Sequence, residues 1–125
     1  MKFLCLCYYD TAAFARISAE DVAKIEPACK PHDARLKATG KVPVIGSLSF
    51  PDKWSSFVPR NGKPEHRPGP YTESTRQAGA FFIVEAKDMA EANQVAAKHP
   101  AANFGEELGF AVEVRPCELY EELSK

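Results

Sequence analysis

Pro68–Ala86, P-G-P-Y-T-E-S-T-R-Q-A-G-A-F-F-I-V-E-A, joins the tightest turn of the chain to its most apolar strand. Gly69-Pro70 marks a rigid corner, since proline fixes φ at about −65° and has no N–H to donate to a strand ladder. Thr72–Gln77 is polar and Gly79 interrupts. Ala80, Phe81, Phe82, Ile83 and Val84 then follow without a polar residue. Such a run predicts a strand covered on both faces.

A second strand of this kind is predicted at Phe3–Tyr9, ending at Asp10. Ser18 followed by Asp21 has the form of a capping box and predicts a helix start. Val22, Ile25, Cys29, His32 and Leu36 share one face of that helix, at alternating spacings of three and four. Pro27 and Pro31 fall inside the pattern and each removes a backbone donor, so either a kinked helix or two segments, the second from Pro31 to a stop at Gly40, is expected, and the periodicity favours the kink. Val42–Phe50, weakened by Pro43 and Gly46, predicts an irregular edge strand.

Trp54–Arg60 and Lys63–Arg67 flank Asn61-Gly62, a dipeptide suited to a two-residue hairpin turn. This hairpin is polar and is expected to project from the core. Asp88-Met89-Ala90-Glu91 opens a second helix, expected to run to about His99 with Met89, Ala92, Ala96 and His99 facing inward. Asn103–Gly109 reads as a loop and Phe110–Arg115 as the last strand.

Strand, helix, strand, hairpin, strand, helix, strand is an α+β order. It matches the ferredoxin-like βαββαβ plan with an inserted β-hairpin, in a single domain over residues 1–125. Two helices cover only one face of the sheet. A second copy of the chain is the simplest cover for the other, which predicts a homodimer.

Sixteen basic and 17 acidic residues are interspersed, for a net charge of −1, so no electrostatic footprint for nucleic acid or an anionic membrane is present. The apolar start is too short to span a bilayer. Cys5, Cys7, Cys29 and Cys117 show neither C-x-x-C nor a disulfide-rich spacing, which predicts free thiols in a cytoplasmic protein and no metal site. No phosphate-cradling glycine loop, nucleotide fingerprint or nucleophile elbow occurs, so no cofactor is expected.

With these elements placed, the chain resembles the YCII-related proteins, in particular the branch named for its Asp-Gly-Pro-Phe motif. The resemblance covers nearly the whole chain and implies a dimeric α/β-barrel. Gly69, Pro70, Glu73, Gln77, Gly79, Phe81, Glu85 and Ala86 match that branch, as do Asp88, Glu91 and Ala92 and the closing Glu113-Val114-Arg115-Pro116. Pro68 and Tyr71 stand where the motif has Asp and Phe. In the wider group a His and an Asp pair near the barrel cleft. Its helix pattern His-x-Ala-Arg-Leu resembles His32-Asp33-Ala34-Arg35-Leu36, and Asp10 matches the Asp that ends its first strand. Its later Asp-Pro is replaced by His99-Pro100.

The resemblance implies a family of mostly unassigned activity. Some relatives resemble small-molecule enzymes of ring dehalogenation, and others accompany sigma factors of the extracytoplasmic type. Two functions follow as expectations. One is a cofactor-independent enzyme moving a proton on a small cyclic or aromatic substrate in the dimer cleft, with His32 as base oriented by Asp10. Tyr71, Glu73, His99 and Arg115 are its expected substrate-binding residues. The other is a binding or regulatory module without chemistry. The bland roles stay open beside these: a structural His32, a His99 serving the helix dipole, a packed Tyr71, and an Arg115 paired with Glu113 or Glu85.

Overall fold

The computed structural model describes residues 1–124. Its centre is a four-stranded antiparallel sheet formed by β1 (Lys2–Asp10), β2 (Val44–Ser47), β5 (Arg76–Glu85) and β6 (Ala111–Pro116), in the order β2-β5-β1-β6. Strands β3 (Ser55–Arg60) and β4 (Lys63–Pro68) form a separate two-stranded hairpin. The helices are α1 (Thr11–Arg16), α2 (Ala19–Ala38) and α3 (Met89–Ala96). With the hairpin set aside, strand order and direction are those of a ferredoxin-like α+β fold.

Alternation along β1 buries Phe3, Cys5, Cys7 and Tyr9 on the helix side. Phe3 faces Val84, and Cys5 faces Phe82, across the β1–β5 ladder. Leu36 of α2 and Ala92, Val95 and Ala96 of α3 close the core over these strands. Phe3, Phe82, Val84 and Leu36 are at most 1% exposed, and such burial is worth about 1.5–3 kcal/mol per side chain. On the other face Leu4, Leu6, Tyr8, Phe81 and Ile83 are only half-buried. Coverage of both faces, expected from the unbroken apolar runs, is thus not complete within one chain.

The register of β1 and β5 passes from Cys7↔Ala80 to Tyr8↔Ala78, leaving Gly79 in a bulge. A Cβ at Gly79 would lie 2.8 Å from the Tyr9 ring, so the Tyr9 side chain packs where only a glycine leaves room. Beyond the bulge β5 continues back to Arg76, which faces Asp10. Strand β5 is therefore longer than its apolar run.

Three other elements differ from expectation. Helix α1 follows β1 directly, because the Asp10 carboxylate accepts from the N–H groups of Ala12 and Ala13 at 2.9 and 3.1 Å. Helix α3 stops at Ala96, three residues short of His99, and Val95 rather than Met89 belongs to its buried side; Met89 is 39% exposed. Helix α2 runs through Pro27 and Pro31 without a break and starts where expected, with Asp21 N–H donating to Ser18 Oγ at 3.1 Å. Leu36 is its one buried residue among those described, and Val22 is 41% exposed. The helix is thus anchored near its C-terminal end and stands off the sheet along the rest of its length.

Candidate functional site

The gap left under α2 is a cleft of about 460 Å³ between that helix and the sheet. Its walls are apolar and largely aromatic. Tyr9, Phe14 and Phe50 form a cluster with ring centroids 5.6, 5.9 and 6.5 Å apart, while Ile25, Ile45, Leu48 and Phe110 complete the lining. A concave apolar site with a few convergent polar groups is the usual form of a small-molecule pocket. Here those groups are Asp33 and Lys37 of α2, and His99, which follows α3.

Helix geometry explains the first two. Ile25, Cys29, Asp33 and Lys37 are four residues apart, so they form one row along α2, and all four line the cleft. No ion pair within 4 Å engages Asp33 or Lys37 among the described residues. Both charges therefore remain available to a ligand.

His99 is positioned by three contacts. The Ala101 N–H donates to His99 Nδ1 at 3.0 Å and caps the 3-10 turn Pro100–Ala102, so in the neutral ring the proton resides on Nε2. The ring stacks on Phe82 with centroids 4.9 Å apart and planes 1° from parallel. Cys7 Sγ lies 3.5 Å from Nε2 and 3.8 Å from Nδ1. Burial pushes the His99 pKa below its ordinary value; Asp33 opposes this and His32 adds to it. Burial likewise pushes the Cys7 thiol up to about 12, which makes it a packing group rather than a nucleophile.

The other sequence-derived candidates lie elsewhere. His32 is half-buried, with its Nδ1 2.6 Å from Arg35 Nη2 and its ring 5.9 Å from that of Phe104. Asp10 caps α1, and these backbone N–H bonds, Ala13 first, hold its carboxyl below the usual range. No hydrogen bond joins His32 to Asp10 among the described residues, and neither lines the cleft. Tyr71 is 72% exposed, and Glu73 is exposed on the same loop. Arg115 Nη2 pairs with Glu113 Oε1 at 2.6 Å on the outer sheet face. Of the six named residues, the cleft holds His99.

Asp33 and Lys37 were not among the expected site residues, because the apolar row Val22, Ile25, Cys29, His32 and Leu36 dominates the pattern of α2. The neighbouring row, with its two opposite charges continuing an apolar start, was the available signal. Among the described residues no three His, Cys, Asp or Glu side chains converge as a metal site, and no helix is long and apolar enough to cross a membrane.

The family model of the YCII-related domain matches residues 1–118. The chain belongs to this family. No curated protein matches it. As a YCII-related domain it has a cleft on the helix side of its sheet, whereas the expected cleft lay between the sheet and a partner chain.

Proposed function

We propose that this YCII-related protein binds a small cyclic or aromatic molecule in the cleft beneath α2 and moves a proton on it without a cofactor. The observation that carries this reading is the convergence of Asp33, Lys37 and His99 on an otherwise apolar cleft. Asp33 is the proton acceptor, Lys37 attracts an anionic substituent, and the aromatic walls hold the ring. The pair His32 and Asp10 is less well supported as chemistry, because the Nδ1 lone pair of His32 faces Arg35 and the Asp10 carboxylate serves as a helix cap.

The working unit in this reading is a cytoplasmic homodimer. Its support is the outer sheet face, where half-buried Leu4, Leu6, Tyr8, Phe81 and Ile83 are flanked by the ion pairs Lys2–Glu85 and Arg115–Glu113. An apolar centre with a charged rim is the ordinary anatomy of an interface. Exposed Tyr71 and Glu73 then belong to the loop beside the hairpin, outside the chemistry.

Nitrobenzene, an uncharged ring small enough for the cleft, tests the binding step. Titration into the wild type shifts the methyl resonances of Ile25 and Ile45, and Ile25→Trp, which fills the cleft from the helix side, abolishes binding while leaving the melting temperature nearly unchanged. Equal binding by Ile25→Trp would place the ligand elsewhere.

A further inference from the structure

The His99 ring makes more contacts than a cap alone needs. Its Nδ1 is used by the Ala101 N–H, one ring face is covered by Phe82, and the residue still lines the cleft. Cys7 Sγ, at 3.5 and 3.8 Å from the two ring nitrogens, lies between them rather than along the Nε2–H axis. Thiol sulfur is also a weak acceptor. The Nε2–H is thus a donor whose one recorded neighbour is a weakly accepting sulfur, on a residue that lines a largely apolar cleft in which hydrogen bonds gain strength.

We propose that His99 acts through Nε2–H as a neutral hydrogen-bond donor to the carbonyl oxygen of an enolisable ring substrate, with Asp33 taking the proton from the adjacent carbon. The proposal rests on the cleft being the ligand site and adds the substrate class. In the step, the C–H bond breaks and its proton passes to the Asp33 carboxylate. The released electron pair forms the C=C bond of the enolate, and the carbonyl π pair moves to oxygen, where Nε2–H stabilises the growing negative charge. Return of the proton from Asp33 to a different carbon completes an isomerisation and consumes no co-reactant. An imidazolium is not needed, in keeping with the downward pressure of burial on the His99 pKa.

The probes are 4-nitrophenol, whose phenolate mimics an enolate oxygen, and nitrobenzene, which has the same ring without the oxyanion. In the wild type, absorption spectra show bound 4-nitrophenol enriched in phenolate. His99→Asn retains a cap acceptor and shortens the donor, so it keeps nitrobenzene affinity and loses about tenfold or more in phenolate affinity, the scale of one hydrogen bond to a charged group. Nitrogen NMR of labelled wild-type protein shows the proton on Nε2 of His99. Unchanged phenolate affinity in His99→Asn, a proton on Nδ1, or a loss seen only in Lys37→Met would overturn the proposal while leaving the cleft as a ligand site. Failure of nitrobenzene itself to bind would remove both.

Discussion

The ring of His99 is acceptor, stacking surface and donor at once, and each use constrains the others. Because Nδ1 accepts from Ala101, protonating the ring would break the cap as well as place a charge against Phe82. The pH dependence follows. Burial sets the folded pKa below 6.5, so the unfolded chain binds the proton first as pH falls. Stability from this group is complete above about pH 6.5 and is lost progressively as pH drops towards the folded pKa. Asp33, His32 and Cys7 are the titratable groups that act on or face the ring, and Asp33 moderates the effect. Thermal melts between about pH 7 and about pH 5 should therefore fall more steeply for the wild type than for His99→Asn. Parallel curves would show that His99 carries no such linkage. The sequence offered His99 as a substrate-binding residue or as a partner of the helix dipole, but neither its acceptor role nor its stacking on Phe82 was legible there. The acceptor role depends on a turn that only the folded backbone supplies.

Elements with a strong local signature were legible to within a few residues. Ser18 and Asp88 both cap the helices they announce, and Asn61-Gly62 forms the hairpin tip, with φ of 53° and 76°. Helix α1 escaped because six residues carry too little periodicity, although Asp10 before Thr11 was a capping signal. The polar start of β5 escaped because Gly79 looked like a boundary, whereas it is a bulge under the Tyr9 ring. Hairpin β3–β4 shares no ladder with the main sheet; it is tied at its base by the Gly69 N–H to the Trp54 carbonyl at 2.7 Å. Phe57 on it is 67% exposed. The arm should therefore open independently of the core. Hydrogen exchange of the Val58 and His66 amides should be much faster than that of Cys5 and Phe82, and equal protection would mean that another surface covers the arm.

Between the two faces of the sheet lies the main division of labour. The helix side holds the core and the cleft, while the outer side is an incompletely buried apolar surface. If that surface pairs two copies, Leu6→Lys combined with Ile83→Lys places like charges at its centre, and sedimentation at micromolar concentration should pass from dimer to monomer. A wild-type monomer would remove the dimer from the account. The overall architecture was readable from element order, but the cleft beneath α2 was not, because the sequence does not reveal how far that helix stands from the sheet. Pro27, Pro31 and a row carrying Asp33 and Lys37 leave that helix with Leu36 as its buried anchor. Methyl-resolved NMR during a nitrobenzene titration tests the location of the site most directly. The account predicts saturable shifts at Ile25, Ile45 and Leu48 with Leu4, Leu6 and Ile83 unmoved; shifts confined to the latter three would contradict it.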